Sequence, residues 1–310
     1  MSALAISGAL EAGLLFSLVA LGVYLSFRVL NFPDLTVDGS FPLGAAATAV
    51  AIVNGVNPFL ATAIGMLAGG AAGLVSGILN VRFRILNLLA GILTMVALYS
   101  INLRVMGRPN ISLYGETTIF TPFETLLDFG IWTNCAVLLF IAVAMKFLVD
   151  WFLSTQIGLA LRASGENPVM ARAQSVGNGR MTLIGITLSN ALVGLAGSLF
   201  AQSQGMADVS MGIGTIVTGL AALIIGETLL GSIKVVWATL GCLIGSVLYR
   251  FFIAAALNAG FLGIQAQDLN LVTAVVVAVA VVLSQARRNS RFRLWPALRR
   301  ALTAPQPQKG

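Results

Sequence analysis

Histidine is absent from this 310-residue chain, and cysteine occurs only twice, at Cys135 and Cys242. Without histidine, the commonest metal ligand and the commonest proton shuttle near neutral pH are both missing. The two cysteines lie in separate apolar runs, so they form neither a metal cluster nor a disulfide framework and read as inert small hydrophobes. Charge is scarce as well: 9% of the residues are Asp, Glu, Lys or Arg, against roughly 25% in an ordinary soluble domain. What is plentiful is apolar. Hydrophobic residues make up 58% of the chain and the mean hydropathy is +0.94. A water-soluble protein this apolar could not cover its surface with polar groups, so most of that surface faces lipid or other helices. The 33 glycines suit that solvent, because small residues let membrane helices approach closely and allow broken helices inside a bundle. The reading is an all-α integral membrane protein.

Apolar runs fall at about 6–27, 41–55, 58–79, 86–105, 131–149, 181–203, 212–230, 233–256 and 270–284. A straight span needs ~20 residues, so the runs at 41–55, 212–230 and 270–284 are candidates for broken or re-entrant helices. The first run has neither a basic stretch before it nor a clean small-residue cleavage site after it, so it is not expected to be a cleavable signal. The net charge of +7 does not point to nucleic acid, because the basic residues flank apolar runs in the positive-inside pattern. Arg28, Arg82, Arg84, Lys146, Arg162, Arg172, Arg180, Lys234 and the tail from Arg287 onward mark connectors expected to be cytoplasmic. The intervening connectors carry Glu116, Glu124, Asp128, Asp208 and Asp268 against only Arg104 and Arg108. The alternation fits nine crossings with the N-terminus outside and the C-terminus inside, and the expectation is a bundle of eight to ten spans.

Laying Asp34 over Asp208 aligns NFPDLTVDGSFPLGAAATAVAIV with QGMADVSMGIGTIVTGLAALII, and the first span with ITLSNALVGLAGSLF. The two units begin on opposite sides, which makes an inverted repeat with a solute pathway between its halves. Residues 1–286 then form one transmembrane domain, with repeat units at about 6–105 and 180–284 joined by 106–179, and 287–310 form a basic cytoplasmic tail.

No catalytic constellation is visible. The stretch GETLLGSIK at 226–234 lacks the Gly-Lys-Ser/Thr order of a phosphate loop and has no soluble strand before it. Energy from ATP would have to come from another chain. Polar side chains inside spans are expensive and mark pathway candidates: Asn54, Asn87, Thr94, Asn102, Thr187, Ser189, Asn190, Glu227 and Arg250, the last two able to pair between consecutive spans. Asp34 and Asp38, at the mouth of a short apolar run, could cap a broken helix or belong to a gate. The connector 106–130 carries Tyr114, Glu116, Glu124 and Asp128 with Phe120 and Phe123. Its acidic and aromatic character suits recognition of a protein partner, which makes Tyr114, Glu116, Glu124 and Asp128 contact candidates.

The connector STQIGLALRASGENPVMARAQSVGNGRM has internal punctuation for a short helix. Asn167 caps it, Pro168 takes its first position and Gly177 ends it. Such a helix carries Val169, Met170, Ala173 and Val176 on one face and is too short to stand without a partner surface. Gly158, Ala160, Leu161, Arg162 and Ala163 read G-x-A-L-R-A, and Ala191, Gly194, Ala196, Gly197 and Leu199 read A-x-x-G-x-A-G-x-L. With the amino-terminal GLLFSLVALGVYLSFRVLNFPDLTVDGSFPLGA, this pattern resembles the branched-chain amino acid permease family of ABC importers. Within it, NFPDLTVDGSFPLGA and NISLYGETTIFTPFE look most like permeases paired with binding proteins for aromatic or related amino acids.

The resemblance implies a large-bundle, type II ABC importer fold with about ten helices per subunit. It implies a pathway formed with a second copy or a close paralogue, in the bacterial cytoplasmic membrane. Two cytoplasmic ABC ATPases would grip a coupling element made by Gly158, Leu161, Arg162, Ala163, Gly165, Glu166, Asn167, Pro168, Met170, Ala171, Ala173 and Gly177. A periplasmic or lipid-anchored binding protein would deliver the solute. ATP and Mg would be used by the partner subunits, and no cofactor or metal is expected on this chain. The expected solute is a branched-chain or aromatic amino acid, with a nucleoside or sugar behind it. The competing reading is an ion-coupled secondary transporter or channel, against which stands the lack of buried carboxylate pairs or histidines. Gly165→Trp or deletion of Pro168 is expected to uncouple transport from hydrolysis while leaving insertion intact.

Overall fold

The computed structural model describes residues 3–126, 130–230 and 234–258, with 275 and 278 as isolated positions. In chain order its helices are α1 (Ala3–Val23), α2 (Val37–Val53), α3 (Pro58–Val81), α4 (Asn87–Met106), α5 (Thr121–Leu126), α6 (Thr133–Ser154), α7 (Gln156–Glu166), α8 (Pro168–Ala173), α9 (Asn178–Gln204), α10 (Thr215–Leu230) and α11 (Val235–Asn258). The strands β1 (Asn110–Ser112) and β2 (Met206–Asp208) pair antiparallel, with Asn110 opposite Asp208. Seven helical segments among the described residues are long and apolar enough to cross a membrane, and α2 is apolar but shorter. Seven stands below the expected eight to ten because α2 has only 17 residues and because the run at 270–284, but for positions 275 and 278, lies outside the described residues, as does the tail at 287–310.

Local signals set the helix ends. Asn57 accepts from the Phe59 amide at 3.0 Å and Pro58 takes the first position of α3. Gly107 and Gly205 end α4 and α9 with φ of 66° and 68°, a left-handed turn that favours a residue without a Cβ. Beyond Val23 the first helix widens into π-helical turns over Tyr24–Val29 and closes on the left-handed Asn31.

The bundle is built around α9, which packs against α1, α2 and α3. A Cβ on Gly194 of α9 would lie 2.7 Å from the Gly65 carbonyl of α3, and one on Gly69 would lie 2.5 Å from the Asn190 carbonyl. Backbones therefore touch, which maximises dispersion contact where lipid supplies no hydrophobic drive. Gly226, Gly241 and Gly245 do the same for α10 and α11. Phe16, Phe41 and Phe200 fill the interior with ring centroids 5.5–6.0 Å apart. Large apolar residues such as Leu67, Phe140 and Trp151 point outward.

The connectors sort into two ends. At one, Arg28 pairs with Glu227 at 2.8 Å, Gly165 abuts Val29, and Gly179 abuts Val81; this end carries α7 and α8. At the other are β1, β2 and the 107–132 connector, and there Cys135 Sγ lies 3.5 Å from the Ser7 carbonyl. Two expectations about charge need correction. Glu227 pairs with Arg28 rather than Arg250, whose guanidinium instead lies 3.9 Å from the Phe16 ring centroid. Lys146 is not in a connector: it is buried within α6, 2.6 Å from Asp150 one turn on, and Thr239 of α11 donates to the same carboxylate at 2.7 Å.

Candidate functional site

Two short helices begin in the interior of the bundle. Residues 30–36 bring the chain back along the bundle without helix, and Asp34 is wholly buried beside Asn190, near the middle of the 27-residue α9. Asp34 accepts from the Thr36 amide at 2.9 Å and from Asn190 Nδ2 at 2.6 Å. Asn190 also donates to its own Ile186 carbonyl at 3.0 Å, and its Oδ1 accepts from Ser40 Oγ at 2.7 Å. One amide thus ties the unwound segment and α2 to α9. Asp38 is a cap, but not of its own helix: it accepts from the Ile216 amide at 2.8 Å and from the Gly214 amide at 3.4 Å, at the start of α10. A carboxylate there satisfies free amides and complements the helix dipole. The two-residue turn that Asp34 makes with Thr36 recurs at Asp208, which accepts from the Ser210 amide at 2.7 Å and from the Ser210 hydroxyl. The Ser210 hydroxyl bond, with help from the Ser210 amide and Asn110, holds the Asp208 carboxyl below its usual range despite partial burial.

The remaining polar candidates separate by depth. Asn54 is not inside a span; it is exposed at the end of α2 and bonds back to Val50 at 2.8 Å. Asn87 opens α4 and accepts from Asn80 at 2.6 Å. Thr94 is buried and bonds its own Ala90 carbonyl at 2.9 Å, while Ser189 bonds Gly22 at 2.7 Å. Asn102 is fully buried, donates to the Gly39 carbonyl at 3.4 Å, and leaves its Oδ1 without a partner among the described residues; the Thr187 hydroxyl is likewise unmatched.

At the α8 end, the connector contains two helices where the sequence predicts one. Thr155 caps α7 by accepting from the Gly158 amide at 3.3 Å. Leu161 and Ser164 are buried, and Gly165 lies so close to the Val29 carbonyl that a Cβ would overlap it. Asn167 leaves the helical range and accepts from the amides of Val169 and Met170 at 3.2 and 3.1 Å, with Pro168 first in α8. The cap is as predicted; the end is not. The helix has six residues rather than about nine, and the left-handed residue after it is Ser175, φ 62°, instead of Gly177. The Val176 amide then returns to the Ala171 carbonyl at 3.0 Å, and Asn178 donates to the Pro168 carbonyl at 2.7 Å. Ala171 packs inward. Val169 and Met170 stand 79% and 59% exposed, flanked by the exposed Arg162, Ala163, Glu166, Arg172 and Ala173. Helix α8 thus presents an exposed apolar tip while its Ala171 is buried. Gly165→Trp is therefore the wrong probe of docking, because it would break the seat of α7.

At the opposite end, Tyr114 is 95% exposed and Glu116 and Glu124 are exposed, while Asp128 lies outside the described residues. The aromatic surface expected there shrinks to Tyr114: Phe120 is buried and Phe123 packs against the core. The connector is held from beneath by Gln202, which accepts from the Ile119 amide at 2.9 Å and donates to Thr62 at 2.8 Å.

With this geometry in place, comparison with known proteins decides the family. The model for the branched-chain amino acid transport system permease component matches residues 5–284. The chain belongs to this family. It is an ABC-type permease and a multi-pass membrane protein. It is 42% identical, over 85% of its length and 86% of the relative's, to the tyrosine transport system permease protein of Clostridioides difficile. It is 27% identical to the probable branched-chain amino acid transport permease protein LivH of Methanocaldococcus jannaschii, over 83% of its length and 84% of the relative's. It is 25% identical to the ribose import permease protein RbsC of Escherichia coli K12, over 82% and 78%. No solved structure matches the chain.

Sequence reasoning missed several groups that order this permease. Ser40 and Gln202 were passed over because hydroxyls and amides in apolar runs are common. Lys146 and Asp150 had a visible signal, their four-residue spacing on one helix. The two Asp-x-Thr/Ser turns at Asp34 and Asp208 were visible only as aligned aspartates.

Proposed function

We propose that this chain is the pathway-forming subunit of an ABC importer for an amino acid, aromatic or branched-chain. The observation that carries the reading is α8: a capped helix with an exposed apolar tip, seated through α7 on the end of α1. Two cytoplasmic ATPases engage that tip, with ATP and Mg bound on their side. Their closure moves α8 as a rigid piece, and the motion reaches the interior through Gly165, Val29 and the unwound residues that end at Asp34. An extracytoplasmic binding protein docks at the end bearing Tyr114, Glu116 and Glu124. A second copy, or a close paralogue, completes the pathway in the bacterial cytoplasmic membrane, with the C-terminus on the ATPase side.

The inverted repeat belongs to this reading and has two supports. Asp34 and Asp208 make the same turn ahead of α2 and α10. Moreover, α9 packs on α2 and α3 as α1 packs on α10 and α11, the pattern of two halves exchanging their short helices. For the solute, relatives at amino-acid systems favour an amino acid, and the ribose permease keeps a sugar as the second reading.

The test is reconstitution. The permease purified with its ATPases should show hydrolysis stimulated by the binding protein and ATP-dependent uptake of tyrosine or leucine. Val169→Glu and Met170→Glu should abolish uptake at unchanged membrane expression. Transport by the permease alone, driven by an ion gradient, would overturn the proposal.

A further inference from the structure

At the end that carries α8, the turn joining α3 to α4 puts large apolar side chains and positive charge together in residues 82–86. Arg82, Phe83, Arg84 and Leu86 are all exposed, Phe83 by 66% and Leu86 by 76%. No Asp or Glu occurs between Asp38 and Glu116, and among the described residues neither arginine is in an ion pair. A third arginine, Arg180, is exposed next to Gly179, where a Cβ would lie 2.8 Å from Val81 at the end of α3.

The turn is tied at several points. Asn80 Nδ2 donates to the Ile85 carbonyl at 2.8 Å and to Asn87 Oδ1 at 2.6 Å. The Arg82 amide closes on the Ile78 carbonyl at 2.8 Å and the Ile85 amide on the Leu79 carbonyl at 3.2 Å. Between these ties Arg84 is held at φ 57°, a left-handed conformation that a long side chain adopts only where its surroundings impose it. The backbone therefore presents Phe83 and Leu86 outward; they are not left there by a slack loop.

Depth decides what covers them. The 24 residues of α3 extend about 36 Å at 1.5 Å per residue, more than a hydrocarbon core ~30 Å thick, so the turn emerges among the lipid headgroups. Five residues that leave and return reach at most about 8 Å at 3.3 Å per residue, the depth of that layer and no further. The 155–177 connector, by contrast, has length enough to build α7 and α8. At headgroup depth, aromatic and aliphatic side chains settle at the acyl boundary while guanidinium forks bind phosphate oxygens. We propose that residues 82–86 seat the headgroup of an anionic phospholipid, with Arg82 and Arg84 on its phosphodiester and Phe83 and Leu86 set into the acyl boundary beside it. The bound lipid fixes the α3–α4 hairpin against the start of α9, where Asn178 bonds to Pro168 of α8. The inference draws on the proposed function only in taking this end as cytoplasmic, the side on which anionic lipid makes the membrane surface negative.

Leu88 is half exposed in the first turn of α4, and the native Cys135 and Cys242 are buried, so Leu88→Cys can carry a bimane fluorophore beside the turn. The full-length permease is placed in phosphatidylcholine nanodiscs that contain a minor fraction of brominated phosphatidylglycerol or, in parallel, of brominated phosphatidylcholine. Quenching is measured for the permease alone and again with its ATPases bound. Each arginine at an anionic surface favours binding roughly fivefold, so the brominated phosphatidylglycerol should be enriched at the fluorophore at least fivefold over the brominated phosphatidylcholine. Arg82→Gln with Arg84→Gln, or 0.5 M salt, should bring the two lipids toward parity. Equal quenching by both lipids, no quenching by either, or a preference that survives loss of both arginines would overturn the lipid seat. A preference seen in the permease alone but abolished by the ATPases would overturn it as well, because the turn would then face the ATPases. Should the double variant fail to insert, Arg84→Gln alone should lower the preference several-fold, and an unchanged preference would refute the assignment. Nanodiscs offer the anionic lipid to both ends of the bundle, so the outcome does not depend on which end is cytoplasmic. Failure of ATP-driven uptake with the preference intact sinks the proposed function only, and normal uptake without the preference sinks the lipid seat only.

Discussion

Replacing Asn190 with alanine removes the amide that joins α9 to Asp34 and to Ser40. Two interhelical bonds disappear, at 2.6 Å to a carboxylate and 2.7 Å from a hydroxyl. Side-chain bonds between membrane helices are worth about 0.6 kcal/mol on average and at most about 1.7, and bonds to charged groups about 1.5–3. Taking the upper membrane value for Asp34 and the mean for Ser40 gives about 2.3 kcal/mol. The loss should exceed that sum, because Asp34 is wholly buried and, among the described residues, is left with Thr36 as its partner. The expected cost is about 3 kcal/mol, read as a shift in equilibrium unfolding of the purified permease in mixed micelles. The decisive comparison is with the Asp34→Asn background, where the acid group is gone. There Asn190→Ala should cost at least about 1 kcal/mol less, the coupling expected of residues in direct contact. Equal cost in both backgrounds would refute the idea that the buried carboxylate makes Asn190 the tie between α9 and the unwound segment.

Gly165→Ala should lower folded yield in the membrane, since its Cβ runs into the Val29 carbonyl. Asn167→Ala, which removes only the α8 cap at a cost of about 1 kcal/mol, should preserve yield and raise the ATP consumed per solute transported. Lys146→Met should destabilise the permease by about 3–5 kcal/mol by stranding Asp150, and Lys146→Met with Asp150→Leu should recover most of that loss in the same unfolding assay. The depressed carboxyl of Asp208 means that its contribution to the β1–β2 pairing is complete above the ordinary carboxylate range and fades only as the pH falls through the lowered value. Hydrogen exchange at Ile111 and Ala207, corrected for its intrinsic rate, should therefore be flat from pH 7 to about 5. Asp208→Asn should show weaker protection throughout, and a marked loss of protection between pH 7 and 6 in the parent would contradict the assignment.

Much of the architecture was legible because lipid imposes simple demands on a chain. A long apolar run must become a helix, since only there are all its backbone groups satisfied, and α3, α4, α6 and α9 lie where such runs do. The α8 cap was legible for a local reason: Asn167 followed by Pro168 binds backbone amides two and three residues on, whatever surrounds them. What failed was longer in range. Ser175 took the left-handed position expected of Gly177 because the Val176 amide closed on Ala171 first. Glu227 met Arg28 rather than Arg250 because helix packing, not order in the chain, decides which charges meet. The four-residue spacing of Lys146 and Asp150 is a local signal of an intrahelical pair, but nothing local reveals that α6 also carries Asp150 into contact with Thr239 of α11.

The chain by itself thus determined its solvent, its helical content, the sorting of most charges to two ends, and the cap of the short helix α8, all consequences of composition or of neighbours within four residues. Only the tertiary structure decided that Asp38 caps a helix some 178 residues away, that Asn190 holds Asp34 and Ser40 together, and that Asn102 of α4 donates to the Gly39 carbonyl of α2. Those pairings depend on how close two backbones come, and that distance is set jointly by glycines on both helices. No single stretch of sequence contains it.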